Sequence, residues 1–266
     1  MINLKNVTFK SWVGSLLGGC LTLGLLLFVV FQQKSKSCRG VVVQLDENAE
    51  YPFFVENDIK NLVTLNGADQ LDEMLFKEIN LQTIENRVLK NRLIKTCQAH
   101  RDLSGYLVVA IEQHKPIGRL VNYSSNDNQT LAASKGGYLT ETGAFMPLSS
   151  RFAARVALVS GDFFKDSKNL KSITGRKIVE LLKTIQQNPL WKAQITELIV
   201  ANNGEITLIP QVGQYQIEFG LPDDVEKKLE KINVFYKTIL PLKGWKQYKR
   251  VSVKFRNQIV CEKIVF

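Results

Sequence analysis

The longest unbroken apolar stretch of the chain lies close to its N-terminus. Residues 12–31 form a run of 20 mostly apolar residues, and the 23 residues from 11 to 33 carry no charge. A helix rises 1.5 Å per residue, so about 20 residues cross the roughly 30 Å hydrocarbon core of a bilayer. The run is too long for the apolar region of a cleaved signal peptide, and no small-residue cleavage pattern follows it. The sequence therefore predicts one transmembrane helix over residues 11–33, after a tail of residues 1–10.

The charges that flank this run do not decide its orientation. Two lysines precede it and three basic residues follow it closely, so the positive-inside rule is nearly balanced. A short N-terminal tail kept in the cytoplasm is the common arrangement when one span precedes a large remainder. On that basis we expect residues 1–10 to be cytoplasmic and residues 34–266 to be extracytoplasmic.

After the apolar run, the spacing of apolar positions predicts a β-α-α-β-β order. Residues 40–45 (GVVVQL) have the composition of a strand. Apolar spacing of i, i+4, i+7 and i+8 predicts a helix over residues 54–65 and a second that starts after Asn80, a favoured N-cap. Residues 93–101 and 106–111 are expected to be strands. The helical apolar positions are Val55, Ile59, Leu62 and Val63 in the first helix, and Leu81, Ile84, Val88 and Leu89 in the second.

A polar stretch, NYSSNDNQ at residues 122–129, separates this block from the rest of the chain. We therefore expect one domain over residues 34–121 and another over residues 122–266. The second domain is expected to open with a hairpin, because two short strand-like runs flank Glu141-Thr142-Gly143, where glycine can take a positive φ.

The remainder of the second block predicts two helices among several strands. The first helix begins near Thr174, and Asn188-Pro189 ends it. The second begins at Pro222, because proline suits the first helical position and Asp223 and Asp224 complement the helix dipole. The inward positions are Ile178, Leu181, Leu182 and Ile185 in the first helix, and Val225, Leu229, Ile232, Tyr236 and Ile239 in the second. Strands are expected on both sides of residues 202–204 and at residues 215–219, 248–255 and 259–266.

The composition favours a folded, basic protein. Apolar residues make up 45% of the chain, and 35 Lys and Arg against 25 Asp and Glu give a net charge of +10. A basic domain beside a membrane can lie near anionic headgroups or acidic wall polymers. We exclude nucleic acid as a partner, because the domains are expected outside the cytoplasm and lack an aromatic–basic RNA signature.

No group of residues has the pattern of a catalytic or metal site. His100 and His114 are the only histidines, and His114, at the exit of a strand, is expected to be solvated. The sequence has no nucleophile elbow, phosphate loop or dinucleotide fingerprint. We therefore expect no enzyme activity, no cofactor and no metal. The cysteines leave two possibilities open, one disulfide among Cys38, Cys97 and Cys261 or three reduced thiols.

Two segments carry a resemblance to a known family. Residues 106–121 (YLVVAIEQHKPIGRLV) combine an apolar strand with Glu, Pro and a small residue, and residues 137–156 (GYLTETGAFMPLSSRFAARV) contain a turn glycine, Pro-Leu-Ser and Arg-Val. In these features the chain resembles the FtsQ/DivIB bacterial cell-division proteins. Residues 205–220 (EITLIPQVGQYQIEFG) are a weaker match, and Thr140 stands where the family usually has Asp.

The resemblance implies an α+β fold with a single N-terminal transmembrane helix, a POTRA domain and a mixed "β domain" whose C-terminal strands lie at a sheet edge. It also implies a non-enzymatic divisome scaffold of the inner (plasma) membrane at the division septum. The implied partners are FtsB/DivIC-like and FtsL-like coiled-coil membrane proteins, beside the septal wall synthase. Two alternatives stay open: a membrane-anchored envelope-assembly or transport module that handles a client polypeptide, and an exported enzyme such as a wall hydrolase.

Residues 248–258 are the candidate partner-binding strand. Alternation predicts that Val251, Val253 and Phe255 face a core while basic residues and Ser252 face outward. Outward basic residues can simply protect a sheet edge from aggregation. The resemblance instead implies that this strand receives a segment of an FtsB/DivIC-like partner, with its basic residues attracting acidic ones. The candidate residues are Tyr248, Arg250, Val251, Ser252, Val253, Lys254, Phe255 and Arg256.

Overall fold

The structure is a computed structural model that describes residues 18–25, 27, 37–45, 50–121 and 136–264. Residues 18–25 and 27 are helical, but most of the predicted transmembrane helix lies outside the described residues. Within the described ranges, no helix is long and apolar enough to cross a membrane. Contacts divide the chain into two compact units, one of residues 1–47 with 54–112 and the other of residues 48–53 with 113–266. The predicted domain boundary after residue 121 stays a prediction.

The first unit has the predicted β-α-α-β-β order. Its elements are β1 (Val41–Gln44), α1 (Glu56–Val63), α2 (Leu81–Leu89), β2 (Ile94–Arg101) and β3 (Leu107–Gln113). The strands form a sheet of order β1-β3-β2, in which β1 and β3 are parallel. Ile59 and Val63 of α1 are fully buried against this sheet's core cluster. The Asn80 side chain accepts a hydrogen bond from the Thr83 N–H, as expected of the N-cap of α2.

The second unit is a single large sheet with helices. Its strands are β4 (Pro116–Leu120), β5 (Gly137–Thr140), β6 (Phe145–Pro147), β7 (Leu158–Ser160), β8 (Ile195–Val200), β9 (Ile206–Pro210), β10 (Gln216–Gly220), β11 (Tyr248–Ser252) and β12 (Val260–Lys263). Among the described residues they are ordered β12-β11-β10-β9-β8-β7-β4-β5-β6. The helices are α3 (Ile173–Gln187), α4 (Pro189–Gln194), α5 (Val225–Val234) and α6 (Leu240–Lys243). The chain is thus an α+β protein, as predicted.

The hairpin that opens this sheet shows how the chain accommodates the threonine at position 140. Strands β5 and β6 pair antiparallel around the predicted turn, where Gly143 has a φ of +76°. Thr140 is fully buried, and its hydroxyl oxygen accepts a hydrogen bond from the Ala144 N–H at 3.1 Å. A side-chain oxygen that accepts from the turn backbone can replace a carboxylate in this role.

Helix α3 follows its sequence pattern closely. Ser172 accepts a hydrogen bond from the Gly175 N–H at its start, and the four predicted inward residues are all buried. Asn188 ends α3 and at the same time caps α4, in which Pro189 occupies the first turn. The predicted stop is confirmed, but a second short helix follows it directly.

The C-terminal helix begins later than predicted. Pro222 does not start it: α5 begins at Val225, because Asp224 has a left-handed backbone with a φ of +45°. Asp223 instead forms an ion pair with Lys228, whose side chain is 7% exposed and also donates to the Leu221 carbonyl at 2.8 Å. The buried ammonium therefore organises the segment before the helix, which local helix signals do not reveal.

A π-helical turn at Phe235–Ile239 connects α5 to α6. Phe235, the first residue of this turn, still donates its N–H to the Lys231 carbonyl as in an α-helix, and it lies three residues after the buried Ile232. It is fully buried next to the predicted inward residue Tyr236. The Phe235 ring lies 5.5 Å from the rings of Tyr215 and Tyr248, measured between centroids. This aromatic cluster joins the helix to β11 and to the segment before β10.

Candidate partner-binding edge

The C-terminal strands lie at one end of the large sheet. Strand β11 pairs with β10 in parallel and with β12 antiparallel, so both of its backbone edges are occupied. The edge strand is β12, which pairs with β11 alone among the described strands. The candidate residues therefore lie one strand inside the edge, or in the loop between β11 and β12. Whether they bind a partner stays a prediction.

The predicted alternation of side chains holds only for the first part of this segment. Val251 and Val253 are fully buried and Arg250 is exposed, as expected. Ser252, predicted to face outward, is instead buried at 3% exposure, and Phe255, predicted to face the core, is 42% exposed. Phe255 is exposed because the strand ends at Ser252, after which the chain bends and period-two alternation no longer applies. Ser252 is still within β11, where it pairs with Glu218 of β10 on one side and with Val260 of β12 on the other.

The loop after β11 is held by a lysine from the helix above it. The Lys231 ammonium donates to the carbonyl oxygens of Val253, at 2.6 Å, and Phe255, at 2.5 Å. These two carbonyls would otherwise continue the strand's hydrogen-bond ladder. Lys231 therefore ends β11 and turns the chain toward β12.

The charges on this face of the sheet largely compensate one another. The Arg250 guanidinium bonds to Glu218 of β10 at 2.7 Å and to Glu262 of β12 at 2.8 Å. The Lys254 ammonium lies 3.8 Å from Glu218. Arg256, by contrast, is exposed and has no ion pair with any described residue. Attraction of an acidic partner therefore depends less on Arg250 and Lys254 than the sequence pattern implies.

Backbone geometry identifies the amide groups that the edge leaves free. Val253 donates its N–H to the Glu218 carbonyl of β10, and Ile264 donates its N–H to the Gln247 carbonyl beside β11. Because successive residues of a strand point their backbone groups to opposite sides, the amides of Val260 and Glu262 face β11. The amides of Cys261 and Lys263 then face away from the sheet, where a further strand can pair.

Glu218 makes the stability of this region depend on pH. Burial raises the pKa of Glu218, but the hydrogen bond from Arg250 and the positive charges of Arg250 and Lys254 outweigh it and hold that pKa below the usual 4.5. A lowered pKa contributes stability that is present above pH 4.5 and is lost as the pH falls through the folded-state value. We expect thermal scans between about pH 6 and about pH 3 to show a smaller acid destabilisation for Glu218→Gln than for the parent chain.

A matched control for this experiment is Glu230→Gln. Glu230 is an exposed residue of α5 and has no ion pair within the described ranges. Its replacement is expected to leave the loss of thermal stability between about pH 6 and about pH 3 the same as in the parent chain. An equal loss of thermal stability on acidification in Glu218→Gln and in the parent chain would contradict the role given to Glu218.

The exposure of His114 differs from the sequence prediction. His114 is not solvated: its side chain is 16% exposed, with Nδ1 4.0 Å from the Glu141 carboxylate.

Cys38, Cys97 and Cys261 are all free thiols, and burial raises the pKa of Cys97 to about 11. A thiol with a raised pKa is a poor nucleophile at neutral pH. Within the described ranges, no three or more His, Cys, Asp or Glu residues are grouped to hold a metal ion.

Comparison with known families agrees with both units. The family model described as FtsQ/DivIB, C-terminal related, matches residues 129–262, which is just over half of the chain. A POTRA-like domain model matches residues 36–112. No curated protein matches the sequence. The matched family is one of non-enzymatic cell-division scaffolds that take part in protein–protein complexes of division. The resemblance in the sequence is thus confirmed, and the chain belongs to the FtsQ/DivIB family.

Proposed function

We propose that this chain is a bitopic scaffold of the divisome that receives a partner strand at β12. In this role it binds FtsB/DivIC-like and FtsL-like membrane proteins, links early and late division proteins, and regulates septal peptidoglycan synthesis. The observation that supports strand addition is the outer edge of β12, which no strand of the described residues occupies and to which the amides of Cys261 and Lys263 point. The cell-division role itself rests on family membership.

The proposal includes a place for the chain in the cell. Residues 11–33 form the membrane anchor, the N-terminal tail is cytoplasmic, and both units lie outside the cytoplasm beside the septum. The uncharged run of residues 11–33 supports the anchor, and the family is consistent with a membrane protein of the division site. The POTRA-like unit would help to recruit the chain to that site.

Side chains beside the free edge supply the other contacts. Val260 on β12 and Phe255 in the preceding loop are 43% and 42% exposed, so a partner strand can bury apolar area there. Arg256 and Lys263 are exposed and have no ion pair among the described residues, which suits an acidic partner segment. Specificity would thus come from these side chains, and affinity also from the backbone pairing.

Replacing Lys263 with proline tests strand addition. Proline removes the outward amide and places its ring at the pairing edge, while the amides that face β11 stay in place. We expect the full-length Lys263→Pro chain to bind an FtsB/DivIC-like partner at least about tenfold more weakly, since a lost hydrogen bond and a steric block add together. Binding is measured by co-purification and by titration of the labelled partner.

Lys263→Ala is the matched control, because it removes the same charge and keeps the amide. We expect it to bind the partner within about threefold of the parent chain, as an exposed charge contributes little. Equal binding by the proline and alanine variants would contradict strand addition. A proline at Ser252 is less informative, because the Ser252 amide faces β12 and the substitution would break the sheet itself.

Depletion of the protein distinguishes the cell-division role from the alternative of a client-handling envelope module. Depleted cells are expected to grow into filaments without septa, as seen by microscopy. Normal septation with defective export or assembly of envelope proteins would favour the alternative. This experiment is independent of the edge, so the scaffold role and the strand-addition mechanism can fail separately.

A further inference from the structure

The segment that leads from the C-terminal helix into β11 is unusually basic. Between Glu230 and Glu262 the sequence has eight Lys or Arg and no Asp or Glu. Four of these residues, Lys237, Lys243, Lys246 and Lys249, belong to residues 237–249, which we call the basic segment.

All four lysines of the basic segment are exposed. None of them forms an ion pair with a described residue, although most other charges near β11 are paired. Their positive charge is therefore not compensated locally. An uncompensated cluster of lysines attracts anionic surfaces over the range of a Debye length, about 8–10 Å at ordinary salt.

Two large apolar side chains are exposed among these lysines. Leu242 is 78% exposed on α6, a helix of one turn that Gly244 ends with a φ of +90°. Trp245 follows directly and is 40% exposed, with its ring 6.3 Å from the ring of Tyr236. The contact with Tyr236 supports one part of the indole and leaves the rest available to a partner.

We propose that the basic segment is a contact site for an anionic lipid surface. Trp and Leu side chains enter the boundary between headgroups and acyl chains, while lysines on flexible stems reach the phosphates. The proposal does not depend on strand addition at β12.

The type of cation favours lipid over an acidic protein. A specific carboxylate is best held by the planar fork of arginine, whereas lysine is a flexible point charge that suits mobile headgroups. The unpaired cations of the segment are all lysines, and the arginine beside them, Arg250, is already bonded to Glu218 and Glu262.

The basic segment adjoins the partner-binding edge. Gln247, at its C-terminal end, accepts a hydrogen bond from the Ile264 N–H just after β12. A membrane contact at Leu242 and Trp245 would therefore hold the free edge close to the bilayer surface, where a membrane-anchored partner would present its strand.

Fluorescence of Trp245 in vesicles tests this inference. The chain has three tryptophans, Trp12, Trp191 and Trp245, so the full-length Trp12→Phe chain is compared with the Trp12→Phe/Trp245→Phe chain. Both are incorporated in phosphatidylcholine vesicles with brominated acyl chains, with or without about a third phosphatidylglycerol. We expect the Trp245 emission to be quenched in the phosphatidylglycerol vesicles alone, and the quenching to fade at about 0.5 M salt.

Charge variants give the matched comparison. Lys243, Lys246 and Lys249 changed together to Gln are expected to weaken the contact about a hundredfold, at about fivefold for each lysine. The control changes Lys168, Lys171 and Lys177 to Gln, which lowers the net charge equally on exposed residues of the same unit. It is expected to leave the quenching unchanged. The strand variant Lys263→Pro is also expected to leave it unchanged.

Three outcomes would overturn the inference. The first is no quenching of Trp245 in any vesicle, and the second is equal quenching with and without phosphatidylglycerol. The third is an equal loss in the two triple-lysine variants, which would assign the effect to net charge. If Trp245 stays unquenched but the lysine variant loses binding of an acidic partner protein, the segment is a protein contact and the lipid proposal is wrong.

Discussion

Replacing Phe235 with alanine is expected to lower the free energy of unfolding of the second unit by about 3–5 kcal/mol. Phe235 is fully buried in the π-helical turn, and its ring packs edge-on against both Tyr215 and Tyr248, with centroids at 5.5 Å. The substitution leaves a cavity between the C-terminal helix and β11, and the surrounding aromatic rings cannot collapse fully into it. Because Tyr248 is the first residue of β11, the edge strands should loosen before the rest of the sheet.

Denaturant unfolding followed by tryptophan fluorescence measures this effect. In a Trp12→Phe background, Trp191 and Trp245 both report on the second unit. The matched control is Phe255→Ala, which removes the same side chain at a position that is 42% exposed. It is expected to change stability by less than about 1 kcal/mol. Similar losses for the two variants would contradict the central role of the aromatic cluster.

The second large effect is expected for Gly161→Ala, with a loss of more than about 4 kcal/mol. Gly161 follows β7 with a φ of +112° and a ψ of 168°, a backbone region that only glycine adopts readily. An added Cβ would also lie 2.1 Å from the carbonyl oxygen of Val200, at the end of β8. Backbone atoms of a central strand cannot move away without breaking the sheet, so strain and overlap add together.

Gly143→Ala separates these two causes. Gly143 also has a positive φ, +76°, but the nearest atom to an added Cβ is a flexible side-chain carbon of Val179 at 3.4 Å. Only the left-handed backbone then opposes alanine, and we expect a loss of about 1–2 kcal/mol. The same fluorescence assay measures both variants. If Gly161→Ala lowers the free energy of unfolding no more than Gly143→Ala does, the backbone of β8 moves to accommodate the added methyl group.

Elements that depend on neighbouring residues could be predicted from the sequence. Helix α2 begins after Asn80 because the Asn80 side chain caps the helix locally, and α3 ends at Asn188 because Pro189 follows. The hairpin of β5 and β6 was likewise predictable, since Gly143 supplies the positive φ that its turn requires. In each case the determinant lies within a few residues of the feature that it controls.

Elements that depend on distant residues could not be predicted in this way. Helix α5 begins at Val225 and not at the predicted Pro222, because the Lys228 ammonium is buried and pairs with Asp223. The inward position of Phe235 was missed because the Tyr215 and Tyr248 rings that enclose it lie far from it in the sequence. The exposure of Phe255 was missed because Lys231 ends β11 by bonding to two carbonyls of the following loop.

For the candidate site, the sequence by itself determined the family and the strand character of the last segments. Only the tertiary structure decided which strand has a free edge, since the order β12-β11-β10 is set by pairing between residues far apart in the chain. It also decided which charges are available, because Arg250 is bonded to carboxylates on two neighbouring strands while the lysines of the basic segment form no ion pair with any described residue. Alternation along a strand shows which side chains share a face, but the partners on that face come from elsewhere in the sequence.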